Sequence, residues 1–425
     1  MYLFIKSLQV FIVRGFGSVG GFLMSLVVTN TTEVSHAGVF FFALALTQLG
    51  GGLLTLGSPN ALLKVVGADY GTSWKRINQD VSVVLKYVFG LSIVLTLISV
   101  AFPHNLSSAL GMSEIEPILP AIALAILVFA LVQIFSAVLQ GKQDTIVAST
   151  VQNVVAQFTF ITLLGLIVWL DSTQTSASLF YIHLFALSLA MLLGGAMWFK
   201  TTGATLDVKA KLSSKFKASL SSLFIVMLMG SCVQWTGQFA IAKFLTSTDV
   251  ALFSSAQRTA MLVSFVLIAV NLVVTPKFAR AFARGRTDDI NKLSLLSSRI
   301  MMLMVLPVIS FMVIFPEFLM GLFGEEYKEA APLLRALSIG QFISVISGSV
   351  GMLLVMTGNE KEFRNCSLIA GPVSIVLAIL LTSNYGSIGA AFATSISLAL
   401  YNLLAAYKVK KILGFNPYNI FRKIK

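Results

Sequence analysis

At 425 residues, 57% hydrophobic and only 11% charged, with a mean hydropathy of +0.90, the chain is too apolar for a water-soluble domain of its size. A net charge of +13 could suit nucleic acid, but the basic residues sit in short connections between apolar runs, where they report topology in a membrane. Cys232 and Cys366 both fall inside apolar runs, which leaves a disulfide framework, a zinc site or a thiol catalyst almost nothing to work with.

Apolar runs near 5–28, 37–60, 82–102, 118–140, 146–170, 178–199, 219–242, 249–275, 297–316, 332–356, 366–383 and 387–408 approach the roughly 20 residues that cross a bilayer. They predict an all-α integral membrane protein of about 12 transmembrane helices. The first run is read as a span and not as a removable leader. It carries Arg14, about ten residues in and so roughly 15 Å deep, together with Gly15, Gly17, Gly20 and Gly21. The second carries Gln48 and the triple glycine Gly50–Gly52, suited to close packing or to gating flexibility. Gln133 and Gln140 follow in the fourth span, and Gln152, Asn153 and Gln157 in the fifth. His183 lies near the external end of the sixth, where a structural role is expected.

The seventh span places Gln234 and Gln238 around Trp235, and the eighth carries Gln257, Arg258 and Asn271. Arg258 is again about ten residues deep, and no carboxylate is read inside any span. Two deep cations without an anion predict an anion site, since a guanidinium cannot be left facing lipid and its fork matches phosphate oxygens. Snorkelling, or contact with helix-end carbonyls, is the alternative. The amides Gln48, Gln234, Gln238 and Gln257 suit sugar hydroxyls as a set, while each taken singly is explained by interhelical hydrogen bonding. Pro307 and Pro372 predict kinks in the ninth and eleventh spans. The tail after Lys408 mixes basic and aromatic residues and is read as an anchor on an anionic leaflet.

The basic residues decide orientation. With the N-terminus cytoplasmic, Lys243, Lys328 and Arg335 alone lie on the opposite side and Arg14 and Arg258 inside spans, leaving 25 of the 30 Lys and Arg on the cytoplasmic side. Both termini are therefore expected to be cytoplasmic. The Lys-rich stretch around 200–217 divides six spans from six, and a weak repeat supports that division. Phe40–Lys64 parallels Phe253–Lys277 at an offset of 213, each a span ending in a proline region with a basic exit, and Leu110-Gly111 parallels Phe323-Gly324 at the same offset. The expectation is two six-helix lobes in a parallel pseudo-twofold repeat: an N-lobe over 1–200, a cytoplasmic linker over 201–217, a C-lobe over 218–409 and a basic tail over 410–425. No phosphate-binding loop is present, so intrinsic ATP hydrolysis is not expected, and no catalytic set of paired external carboxylates or Ser, His and Asp is apparent, which weakens a membrane-embedded hydrolase or transferase.

Three stretches carry a family resemblance: FGEEYKEAAPLLRALSIGQFISVISGSVGMLLVMTGNEKEFRN (323–365), ALFSSAQRTAMLVSFVLIAVNLVVTPKFARAFARG (251–285) and the first two spans to Ala61-Leu62-Leu63-Lys64. Through them the chain resembles the polysaccharide (O-antigen, Wzx-type) flippases of the multidrug/oligosaccharidyl-lipid/polysaccharide exporter superfamily. The resemblance implies a V-shaped exporter working by alternating access. It also implies an undecaprenyl-pyrophosphate-linked oligosaccharide as substrate, carried across the cell inner membrane. Related peptidoglycan-precursor flippases use cavity arginines in their first and eighth helices, the helices that hold Arg14 and Arg258 here. The two further C-terminal helices of that branch are missing from the span count. No cofactor is expected beyond a coupling ion, H+ or Na+. The expected partners are the anionic lipid-linked glycan, membrane lipids and other polysaccharide assembly proteins, and no nucleic acid. The competing expectations are a cation-coupled multidrug exporter of the same superfamily and a membrane-embedded glycan polymerase or ligase.

Overall fold

Without water to bond to, backbone N–H and C=O groups must pair with each other, so apolar runs of bilayer length become helices. The computed structural model describes residues 2–68, 74–170, 174–203, 210, 212 and 214–417, and among them there is no strand. In chain order the α-helices are α1 (Tyr2–Thr31), α2 (Val34–Leu54), α3 (Ser58–Ala68), α4 (Trp74–Ala101), α5 (Pro103–Leu110), α6 (Leu119–Gly141), α7 (Thr145–Asn153), α8 (Val155–Trp169) and α9 (Ser176–Thr202). There follow α10 (Ser214–Phe244), α11 (Ser247–Met261), α12 (Ser264–Ala283), α13 (Thr287–Ile314), α14 (Pro316–Gly321), α15 (Ala331–Ile346), α16 (Val350–Met356) and α17 (Glu360–Leu413). Two 3-10 turns, Ser113–Ile118 and Glu325–Ala330, lead into α6 and α15.

Among the described residues, 11 helical stretches are long and apolar enough to cross a membrane. They cover every predicted span, because α17 is 54 residues long and holds the last two. Its backbone leaves helical geometry at Gly386 (φ 64°, ψ −148°), and Glu362 near its start bonds Lys408 near its end at 2.6 Å. The exterior is that of a lipid-solvated protein. Leu97 is 63% exposed and Leu303 77%, and such side chains recur along α4 and α13.

The helices group into two compact units, Met1–Leu228 with Thr246–Ala251, and Met229–Leu245 with Leu252–Lys425. In the first, α6 is the central helix, packed against α2, α3, α4, α7 and α9, with Val128, Val132, Val151 and Leu187 in the shared core. In the second, α15 packs on α13 and α17, and Val263, Met301, Val305 and Val345 form a core there. Of the expected linker, residues 204–209, 211 and 213 lie outside the described residues, as do 418–425 of the expected tail.

Each unit repeats the same order of elements. In the first, α4 is followed by a short helix opening at Pro103, a 3-10 turn and α6. In the second, α13 is followed by a short helix opening at Pro316, a 3-10 turn and α15, again 213 residues on. The second span of the chain breaks over residues 55–57 and the eighth over 262–263. These breaks are the shared feature, not the prolines: α12 continues well past residue 276. Pro307 and Pro372 likewise stand inside helices that are continuous at those points.

The expectation of carboxylate-free spans is corrected at Asp249, in the first turn of α11, and most deeply at Asp80. The polar residues before the third apolar run are helical from Trp74 onward, so Asp80 falls inside the span Ile77–Ala101, where it is 1% exposed. A reading by hydropathy alone loses such polar first turns.

The glycines of the first two spans are mainly contact points. A Cβ on Gly17 would stand 2.6 Å from Asn153 Cβ and 2.7 Å from Asn153 O, and one on Gly50 would stand 2.6 Å from Ile126 Cδ1, whereas Gly52 has nothing within 4 Å. Gly17→Ala is therefore expected to destabilise the protein by about 1–3 kcal/mol through overpacking against backbone. Gly52→Ala should be neutral or stabilising by a few tenths to about 1 kcal/mol, as helix propensity dictates. Thermal melts of the two purified variants check this, and equal melting points would refute the close approach of α1 to α7.

Candidate functional site

In the first unit the site begins at Arg14. Gly17, one turn further along α1, lets the helix come against α7, and this brings Arg14 Nε to 3.4 Å from Ser149 Oγ. Ser149 is buried, and its carbonyl accepts from Asn153 Nδ2 at 3.2 Å. On the same helix Gln152 Nε2 donates to Gln133 Oε1 of α6 at 2.5 Å. The half-buried guanidinium thus borders a seam of neutral hydroxyls and amides. Neither α1 nor α7 nor α8, the helices packed together here, contains an Asp or Glu. A cation held at membrane depth with only neutral partners favours any anion that can reach it. Gln48 stands half-buried on α2, and among the described residues no hydrogen bond joins it to this seam.

The second unit holds a cavity of about 230 Å³. Gln234, Gln257, Ser264, Gln341, Thr394 and Tyr401 contribute its polar lining, from α10, α11, α12, α15 and α17. Gln257 Nε2 donates to Gln234 O at 2.9 Å, Ser264 Oγ to Gln341 Oε1 at 2.9 Å, and Asn402 Nδ2 to Ser344 Oγ at 3.1 Å. Gly237 lets α10 approach α17 beside it: a Cβ there would collide with Thr394 Oγ1. Every lining group is uncharged, so the cavity offers alternating donors and acceptors and the ring of Tyr401, the chemistry that receives a neutral polyhydroxyl group.

Of the six residues expected to act together, the structure joins two, Gln257 and Gln234. Gln238 is buried on α10 and is not among the cavity's lining residues. Arg258 is half-buried in the last turn of α11, immediately before the break at 262–263, where the helix end presents its partial negative charge. Arg14 belongs to the first unit and Arg258 to the second. His183 packs against Phe40, Phe160 and Phe180 at centroid distances of 6.1–6.2 Å, in an aromatic cluster of the first unit. Among the described residues no group of three His, Cys, Asp or Glu side chains converges to hold a metal.

Sequence reasoning missed Ser264, Gln341, Ser344, Thr394 and Tyr401. The internal repeat held one usable signal. Gln341 lies on the span that corresponds to that of Gln133, and both carboxamide oxygens accept a cross-helix bond.

The family model for polysaccharide biosynthesis proteins matches residues 6–282, and the MatE model matches residues 223–380. The probable low-salt glycan biosynthesis flippase Agl15 of Haloferax volcanii is 23% identical over 423 residues, covering 96% of this chain and 84% of that protein. Among solved structures, an inward-facing multidrug resistance MATE family transporter of the MOP superfamily aligns with a TM-score of 0.72 at 15% identity, over 96% of this chain and 94% of that one. A MOP superfamily transporter from Pyrococcus furiosus, described as having a binding pocket of reverse polarity, aligns with a TM-score of 0.70 at 13% identity, over 98% and 96%. Likeness at such identities carries the fold: this is an all-α membrane exporter fold.

Proposed function

From a chain that belongs to the polysaccharide biosynthesis protein family, multi-pass membrane transporters of the MOP superfamily and not enzymes, we propose that the substrate is an undecaprenyl-pyrophosphate-linked oligosaccharide, such as an O-antigen or other polysaccharide repeat unit. The protein carries it across the inner membrane by alternating access. The observation that supports this most is Arg14, a guanidinium at span depth whose partner among the described residues is the neutral Ser149 and whose neighbouring helices lack carboxylates. Such a group replaces part of the hydration that a pyrophosphate loses on leaving water. Arg258 supplies a second guanidinium in the other unit. The uncharged cavity around Gln257 and Gln341 receives sugar hydroxyls, and the polyprenyl tail stays in lipid.

A leaflet-accessibility assay tests this reading directly. Proteoliposomes are loaded with the lipid-linked glycan, and the fraction open to an external glycan-modifying enzyme is followed over time. Protein-dependent exposure of the inner-leaflet pool is expected; exposure no faster than in protein-free vesicles would sink the proposal. The Lys/Arg asymmetry supports a cytoplasmic position for both termini. A reporter fused after Lys425 should accordingly be active only in its cytoplasmic form, and periplasmic activity would reverse the assignment.

A second reading, cation-coupled export of organic cations, is favoured by one observation, the buried carboxylate of Asp80. Under the glycan reading the same group serves a coupling ion, H+ or Na+. Asp80→Asn should then abolish ion dependence of glycan movement, whereas under the second reading it abolishes drug efflux from cells.

A further inference from the structure

The connection from α12 to α13 holds another recess of the second unit, about 400 Å³. Lys277, Arg280, Arg284, Arg286 and Lys292 surround it, and Ala281, Leu293 and Leu296 form its floor. Counting charges does not explain this arrangement. The positive-inside rule asks for basic residues near span ends, not for five of them turned upon one recess. Two basic residues at other span ends are held internally. Lys142 pairs with Asp144 at 3.6 Å and donates to Thr201 O at 2.9 Å, and Lys408 pairs with Glu362 at 2.6 Å. Around the recess, among the described residues, one ion pair forms, Arg286 Nη1 to Asp289 Oδ2 at 3.7 Å, and both partners are well exposed. A single carboxylate therefore faces five cations.

The surroundings of the recess say what kind of anion fits. It lies where α12 and α13 leave the membrane, and Phe282, Leu296 and Ile300 expose apolar side chains beside and below it. A small soluble anion has no use for that apolar continuation. An amphiphile does, with its phosphate among the guanidiniums and its chain along Leu296 and Ile300. We propose that the α12–α13 connection is a binding site for the headgroup of an anionic phospholipid, distinct from the groups assigned to transport. Planar guanidiniums of Arg280 and Arg284 grip the phosphate oxygens in pairs, while Lys277 and Lys292 add charge without direction. A zwitterionic lipid brings its own cation into a recess that already has five.

Native mass spectrometry of the full chain in detergent provides the test, with phosphatidylglycerol, phosphatidylcholine and inorganic pyrophosphate offered separately. The expected result is a retained phosphatidylglycerol adduct, a much weaker phosphatidylcholine adduct, and no displacement by pyrophosphate. R280Q/R284Q should weaken the phosphatidylglycerol adduct roughly 30-fold, from the attraction expected of two basic residues at a membrane surface. R280K/R284K should retain only part of it, since lysine keeps the charge and loses the paired grip. K410Q/K411Q, which removes the same charge from the end of α17, should leave it unchanged. Equal loss in R280Q/R284Q and K410Q/K411Q would reduce the site to bulk charge, and equal retention of the two phospholipids would remove the anionic selectivity. Displacement by pyrophosphate would assign the recess to a soluble anion. Each of these outcomes overturns the proposal.

Discussion

Replacing Arg14 with alanine is expected to slow glycan translocation by roughly 10- to 100-fold, the loss of one charge-assisted contact to phosphate at about 1.5–3 kcal/mol. The variant should still insert and fold, because removing a cation from a span eases insertion and the bond given up is a 3.4 Å contact to Ser149. Arg14→Lys should recover part of the rate, since it restores charge and loses the planar fork. Ser149→Ala separates two roles for the neighbouring hydroxyl. If Ser149 merely steadies the guanidinium, that variant is mildly slowed; if the bond is the purpose of Arg14, the two alanine variants behave alike. Translocation rates in proteoliposomes at matched protein density decide the matter, and a wild-type rate in Arg14→Ala would end the phosphate assignment.

The second large effect is structural. Gly340 of α15 faces α17 so closely that a Cβ would stand 2.6 Å from Ser395 Cα and 2.7 Å from its Oγ, while Ser395 Oγ donates to Ala336 O at 2.8 Å. Small residues that let helices touch backbone to backbone are a principal source of cohesion in a membrane, where no hydrophobic force draws helices together. Gly340→Ala is expected to cost about 3 kcal/mol or more, because the obstructing atom is a main-chain carbon that cannot rotate away. Trimming the neighbour with Ser395→Ala removes Oγ but not Cα, so the double variant should be no more stable. Rescue by Ser395→Ala, read from denaturation curves in mild detergent, would show that the contact is between side chains and that the helices sit further apart.

Most of the architecture could be read from the sequence because a bilayer imposes it: about 20 apolar residues must become a helix, and polar connections must lie outside. The reading failed where polarity and helix overlap. Asp80 falls just before the apolar run at 82–102 because Trp74–Asp80 is polar, though those residues are helical and Asp80 is buried. Breaks inside apolar runs were invisible for the opposite reason. Residues 262–263 are Leu and Val, and nothing in their hydropathy marks a helix end. At the site, Arg14 stood out because charge within a span is costly and therefore conspicuous. Ser264, Thr394 and Tyr401 did not, since hydroxyls in spans usually bond the preceding turn, as Thr394 Oγ1 does to Ala390 O at 2.9 Å. Only tertiary packing reveals that their free edges share a cavity.

The ion pair that ties Glu362 to Lys408 bears on how the chain enters the membrane. As a straight helix, the 54 residues of α17 would measure about 80 Å, nearly twice the roughly 40–45 Å of a bilayer with its headgroups. A contact at 2.6 Å between residues near opposite ends of that length requires the helix to reverse at Gly386, giving two arms of about 40 Å each. The reversal is tight enough that a Cβ on Gly389 would run into the carbonyl of Leu381. Its tip, Ser383-Asn384-Tyr385-Gly386-Ser387, carries no charge to be dragged through lipid. The two arms can therefore leave the translocon together as a hairpin, with backbone bonds nearly complete at every stage. The positive charges at its two open ends, Lys361, Arg364, Lys408, Lys410 and Lys411, remain behind and determine on which side it closes.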